Sequence, residues 1–197
     1  MIEDSPDDLD RRDMAKLAAG QDSALNELMR RHAERLFRYL IRLLQNESEA
    51  ADLAEEAFVR VYEHRQKYRS GSKFSTWLYS IATNLARDQL RRRSRHPQVS
   101  LESTHPETGL DFRESLPEPG LNPGESLQAA ERAKAVQLAV AGLPEELQVP
   151  LVLAEYENQS QAEIAAMLRC SPKAVEMRLY RARQLLRGKL EQVWGAL

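Results

Sequence analysis

The chain has 197 residues, with 28 lysines and arginines against 30 aspartates and glutamates, so its net charge of −2 excludes a uniformly basic nucleic-acid coat protein. A single cysteine, Cys170, excludes an internal disulfide and suits a reducing compartment; its expected role is a small apolar residue in a turn. No apolar run approaches the roughly 20 residues of a membrane helix and no signal-peptide pattern is present, so a soluble, cytoplasmic protein without membrane insertion is expected.

Along the chain, charge is unevenly placed. Residues 1–19 form an acidic N-terminal segment. Leu25, Leu28, Met29, Leu36, Phe37, Leu40, Ile41 and Leu44 recur at three- and four-residue steps and predict a long amphipathic helix stopped by Gln45-Asn46. Ser48 is the expected cap of the next helix, whose buried stripe is Leu53, Ala57 and Val61, flanked by Phe58 and Tyr62. Arg69-Ser-Gly-Ser-Lys73 reads as a loop. A further helix runs from about Ser75 to Arg95, with Trp77, Leu78, Ile81 and Leu85 inward; its end, from Arg87 to Arg95, holds five arginines and one acid.

From Pro97 to Gly124 there are five prolines and three glycines, and residues 97–131 hold seven acids against Arg113 alone, which predicts an extended acidic linker over 97–125. Four shorter helices are expected after it, starting near Ser126, Pro144, Ser160 and Ser171. Pro150 falls inside the second of these and should kink it. Ser160 with Glu163 spells a capping box, and Ser171-Pro172 a second helix start. Two short helices joined by the tight Arg169-Cys170 turn predict a helix-turn-helix, whose second helix is suited to a DNA major groove. Residues 169–189 hold seven bases against Glu176. β-branched runs of period two are missing, so the fold class is all-α: two small helical domains, over 20–96 and 126–197, joined by the linker. Two basic faces separated by an acidic strap suggest two separate phosphate contacts.

Three segments in this order, Glu49-Ala-Ala-Asp-Leu-Ala-Glu-Glu-Ala-Phe-Val-Arg-Val-Tyr62, Tyr68-Arg-Ser-Gly-Ser-Lys-Phe-Ser-Thr-Trp-Leu-Tyr-Ser-Ile-Ala-Thr-Asn84 with the following arginine run, and the helix-turn-helix, resemble the sigma-70 transcription initiation factors of the extracytoplasmic-function (ECF) group. The resemblance covers the chain from about Gly20 to Leu190. It implies a core-polymerase-binding, −10-recognising region over 20–96 and a −35-reading region over 126–197. It also implies core RNA polymerase, promoter DNA and an anti-sigma factor as partners.

On this resemblance Asp52, Glu55 and Glu56 dock on a basic coiled coil of the polymerase, with Phe58 as apolar anchor; taken alone, the same acids read as a solvated helix face. Arg69, Lys73, Phe74, Trp77, Asn84, Arg87, Asp88, Arg91 and Arg92 are the candidates for the −10 strand. Phe74, on a loop end beside Lys73, is the expected partner of an unstacked base, a contact worth roughly 1–3 kcal/mol; Trp77 reads equally well as core. In the recognition helix Val175, Leu179, Ala182 and Leu186 follow core spacing. That leaves Lys173, Ala174, Glu176, Met177 and Tyr180 for the groove, with Arg178, Arg181 and Arg183 nearer the backbone. Glu176 departs from the basic residue usual in the family there; a carboxylate could accept from cytosine N4. Asn158-Gln159 replaces a common Gly-Leu, and asparagine tolerates the left-handed backbone.

Other functions fit less well. His32, His64, His96 and His105 are scattered without metal spacing, and no phosphate loop or nucleophile elbow is present, so neither metal, cofactor nor enzyme activity is expected. A one-component or response regulator would need a sensor domain where residues 22–95 show no strands. A sigma-like decoy for an anti-sigma factor would need neither the arginines after Asn84 nor a basic recognition helix.

Overall fold

The computed structural model describes residues 5–95 and 123–194, and every regular element in them is helical. The first unit is α1 (Pro6–Ala18), α2 (Ser23–Leu44), α3 (Glu47–Glu63), a single 3-10 turn at Arg65–Lys67, and α4 (Phe74–Arg95). The second is α5 (Pro123–Ala141), α6 (Glu145–Glu155), α7 (Gln161–Leu168) and α8 (Pro172–Trp194). Most of the predicted linker, 97–125, lies outside the described residues, and α5 opens three residues earlier than expected.

α1 was not foreseen as a helix. Ser5 caps it, its hydroxyl accepting from the Asp8 N–H at 3.3 Å, and Pro6 follows in the first turn. Gly20, at φ +89°, closes its C-terminal end where a side chain would be strained. Two of its acids are buried: Asp10 accepts from Arg31 Nε at 2.9 Å and lies 2.8 Å from His32 Nε2, and Asp13 accepts from Arg31 at 2.7 Å. Burial opposes ionisation of Asp13, but Arg31 and Lys16 hold its carboxyl below the usual range. The N-terminal segment is thus a structural helix on α2, and its charge is partly internal.

Gln45, left-handed at φ +52°, ends α2, and the Arg93 guanidinium caps its Leu44 carbonyl at 2.9 Å. Asn46, not Ser48, caps α3: its side-chain oxygen accepts from the Glu49 N–H at 2.9 Å. Asn46 has the extended backbone an N-cap needs, whereas Ser48 is already helical. Leu28, Leu36, Tyr39 and Leu40 of α2, Ala57 and Val61 of α3, and Leu78 and Ala82 of α4 make the first core. Tyr39 and Thr83 join by a buried hydroxyl bond of 2.7 Å.

In the second unit α5, α6 and α7 pack on α8. α6 runs from Glu145 to Glu155 with Pro150 buried inside it. Asn158 sits at φ +51°, the left-handed position that asparagine tolerates. The capping box forms: Ser160 N–H donates to Glu163 at 2.8 Å and Glu163 N–H to Ser160 Oγ at 3.3 Å. Arg169, at φ +52°, makes the tight turn, and Ser171 Oγ accepts from Ala174 N–H to open α8. Val152, Leu153, Ile164, Val175, Leu179 and Ala182 are its core.

The two units touch. α4 packs on α7, and α2 on α5 and α6, so α5, α6 and α7 stand beside the N-terminal half of the molecule. Among the described residues no helix is long and apolar enough to cross a membrane.

Candidate nucleic-acid interface

α3 turns Ala50, Ala57 and Val61 inward, which sends Asp52 and Glu55 outward one turn apart. Both are exposed; Glu56, half-buried, pairs with Arg60 at 2.8 Å. Phe58, expected as an apolar anchor beside them, is 3 % exposed and belongs to the core. The step from Ala54 to Phe58 to Val61 is itself core spacing, so the ring follows the buried stripe. Val59, at 49 % exposure, is the apolar side chain this face offers. Sequence reading passed over it because a lone valine carries no signal.

The loop between the 3-10 turn and α4 is folded on itself: Tyr68 hydroxyl donates to the Ser72 carbonyl at 2.7 Å, and Ser72 hydroxyl to the Arg69 carbonyl at 3.0 Å. Arg69 and Lys73 are exposed on it. Phe74 departs from expectation. It is the first residue of α4, not a loop residue, and 0 % exposed, stacked among His32 (5.1 Å), Tyr68 (6.3 Å) and Trp77 (6.3 Å). Its ring has no face open to a base. The aromatic surface that this cluster does present comes from the half-buried Tyr68 and Trp77, whose rings lie 5.4 Å apart.

Along α4 the candidates fall on one outer stripe. Asn84 and Asp88 are exposed, Arg87 is half-buried, and Arg91 and Arg92 are exposed. Asp88 accepts from Arg91, and Arg87 donates to Glu145 of the second unit. Arg93 is withdrawn from this stripe by the Leu44 carbonyl and by Glu49, whose carboxylate accepts from Arg93 Nε at 3.2 Å. Lys73 is also held by the second unit, 3.0 Å from Glu163. Burial opposes ionisation of Glu163, yet the Ser160 hydroxyl and N–H, with Lys73, hold its carboxyl below the usual range; the same contact raises Lys73.

On α8, Val175, Leu179 and Ala182 are buried, as the spacing predicted. The outer face presents Lys173, Glu176, Met177, Tyr180, Arg181 and Arg183, with Ala174 and Arg178 on its half-buried flank. Lys173 meets Glu176 at 2.9 Å and Arg183 meets Glu155 at 2.7 Å, exposed pairs that hold side chains loosely. Glu176, Met177, Tyr180 and Arg183 line an open depression with Gln161 of α7. Arg178 lies 3.7 Å from Cys170 Sγ, which places the cysteine in the turn as a packing residue. The geometry therefore gathers three surfaces: an acidic one on α3, a cationic-aromatic one on the loop and α4, and a basic one on the outer face of a helix-turn-helix.

Two family models match the chain, one on each helical unit. Residues 28–96 match the Sigma-70 region 2 family, and residues 133–186 match Sigma-70, region 4. The chain is 34% identical over 176 residues to the ECF RNA polymerase sigma factor SigE of Mycolicibacterium smegmatis, covering 88% of this chain and 65% of that protein. It is 28% identical over 183 residues to the ECF RNA polymerase sigma factor SigW of Bacillus subtilis, covering 93% of this chain and 97% of that protein. Among solved structures, CnrH in complex with the cytosolic domain of CnrY superposes with a TM-score of 0.68 at 25% identity, over 94% of this chain and 99% of that one. The sigma factor RpoE of Bartonella quintana, in complex with the anti-sigma factor NepR, shares the fold with a TM-score of 0.63 at 20% identity, over 84% of this chain and 96% of that one. With both family regions in order on the two helical units, the chain belongs to the sigma-70 family, in its extracytoplasmic-function group.

Proposed function

We propose that this chain is a promoter-specific transcription initiation factor that acts in the cytoplasm as a dissociable subunit of RNA polymerase. It docks on the core enzyme through the α3 face of Asp52, Glu55 and Glu56, with Val59 as the apolar contact. The α4 stripe and the Arg69–Lys73 loop engage the −10 element, and the outer face of α8 reads the −35 element. It makes and breaks no covalent bonds; nucleotidyl transfer belongs to the polymerase. An anti-sigma factor holds it inactive, as NepR is bound to the sigma factor RpoE, a chain of the same fold.

One observation carries this reading. A protein without an ATP motif can open a duplex only by capturing bases as they unstack, and that requires aromatic faces beside cations. Tyr68 and Trp77 supply partly exposed rings at the two ends of the segment that carries the exposed Arg69 and Lys73, and Arg91 and Arg92 supply exposed charge for the phosphates. Phe74 supports the cluster from beneath. The second unit sets register on the duplex: α8 offers Lys173, Met177 and Tyr180 to base edges, and Arg181 and Arg183 to the backbone.

In vitro transcription with core polymerase on a genomic fragment library tests the role. Start sites that depend on this protein and share two upstream elements support it. Binding to core without new starts favours the decoy function, and no binding to core overturns the docking face. Glu176→Lys, run through the same selection, is expected to change one −35 position from a cytosine preference and leave the −10 consensus as it was. A bidentate base contact discriminates by about 1–3 kcal/mol, enough to be visible in the selected sequences. An unchanged consensus would mean that Glu176 touches no base.

A further inference from the structure

The rings assigned above to the promoter strand rest on a histidine that none of the three surfaces includes. His32 of α2 has its ring centroid 5.1 Å from that of the buried Phe74, the two planes tilted by 60°. Phe74 in turn lies 6.3 Å from both Tyr68 and Trp77, the two rings with exposed area. On its other side His32 Nε2 meets the Asp10 carboxylate of α1 at 2.8 Å. Asp10 is itself 2 % exposed and is anchored by Arg31, whose Nε donates to its other oxygen at 2.9 Å. A continuous line of packed side chains therefore runs from α1 through α2 to the ring pair beside the start of α4.

α1 grips the same platform a second time. Gln66, in the 3-10 turn just before Tyr68, donates to the Ala18 carbonyl at the end of α1 at 2.6 Å. Burial raises the Tyr68 phenol above its ordinary value, and the charges that act on it next, Arg11, Asp10 and Asp7, all stand on α1. Tyr68 stands on a loop and Trp77 in the first turn of a helix, where few backbone bonds fix a ring. A side chain that captures a base binds best when it is in place beforehand, since ordering it on arrival subtracts from the affinity.

We infer that His32 is a positioning residue for strand capture: its ring, oriented by Asp10, sets Phe74, and Phe74 sets the exposed faces of Tyr68 and Trp77. α1 thereby serves the strand-binding platform from behind it. This inference rests on the proposed function for what the rings bind, and on the geometry alone for what holds them. It gives separate work to the two sides of one side chain. The imidazole face supports Phe74, and the Nε2 edge fixes the angle of that face.

Two substitutions separate these sides. His32→Gln keeps a donor for Asp10 and removes the ring; His32→Phe keeps a ring against Phe74 and removes the donor. Both are made in the full chain together with Trp194→Phe, which leaves Trp77 as the single tryptophan. Emission of Trp77 in the free chain reads the platform. Fluorescence anisotropy of the core-polymerase complex with a labelled pool of randomised single-stranded DNA reads capture, with core alone as the blank. The expected order of strand affinity is parent, then His32→Phe, then His32→Gln, the last about tenfold weaker than the parent, within the range of one lost base–ring stack. Trp77 emission should shift in the same order, and binding to core should be unchanged.

Unchanged emission and affinity in both variants overturn the inference. Equal losses that follow the urea midpoints of the variants also overturn it, because His32 would then support the fold and not the rings. A shifted emission with unchanged affinity overturns the role in capture. If His32→Gln fails to fold, His32→Phe decides alone, by a shifted emission together with weaker capture. Should the parent complex bind no strand at all, the functional proposal fails, and Trp77 emission still decides whether His32 sets the platform.

Discussion

Asp52→Lys combined with Glu55→Lys is expected to weaken capture of core RNA polymerase by at least about a hundredfold, at about 1.4 kcal/mol per factor of ten. Both side chains point outward from α3, and among the described residues neither is held by an ion pair, so reversing them leaves the fold intact. Against a basic partner each reversal replaces attraction with repulsion, and close interfacial charge pairs couple by about 1.5–7 kcal/mol. The measurement is a binding titration of labelled protein against core enzyme at two salt concentrations, with Glu27→Lys on α2 as the charge control. The parent should lose affinity with salt and the double variant should have little left to lose. Equal affinities for parent and variant would move the docking surface away from α3.

The second large effect is on stability. Asp10→Ala is expected to destabilise the first unit by about 3 kcal/mol, the lower end of the range for breaking a buried ion pair. Asp10 is buried against Arg31 and His32. Its removal leaves His32 without that partner and Arg31 with Asp13 alone, at 2.7 Å. Urea unfolding followed by circular dichroism measures it. With a slope of roughly 1–3 kcal/mol per molar, the midpoint should fall by about 1–3 M. Asp10→Asn, which keeps the shape and one acceptor, should lose less. A shift too small to measure would mean that α1 unfolds separately from α2 and α4.

That prediction concerns the one described helix which sequence reading did not find. Residues 1–19 read as an acidic N-terminal segment because six acids crowd three bases over the first twenty positions. The reading is local, and the partners that take Asp10 and Asp13 inward stand about twenty residues later on another helix. The other helices were legible through their punctuation. Gln45-Asn46, the Ser160–Glu163 box and Ser171-Pro172 placed the ends of α2, α7 and α8 to within a residue or two, because caps are dictated by neighbours three positions away.

The surfaces were legible to a lesser degree. Their charged members were found, since arginine and glutamate on a periodic helix must face outward unless paired. Phe58 and Phe74 were misplaced, because an aromatic at the margin of a stripe goes inward or outward according to what covers it. Phe74 is surrounded by Tyr68, Trp77 and His32, and the last belongs to a different helix.

Glu163 serves two structures at once. It closes the capping box of α7 through Ser160, and it reaches across to Lys73. When Lys73 leaves, the carboxylate keeps the Ser160 hydroxyl and N–H, so the helix loses no start and the acid is not orphaned. The fastening is borrowed from a bond the helix needs in any case. It can be undone and remade without fraying the start of α7, and the loss on parting falls on Lys73 alone.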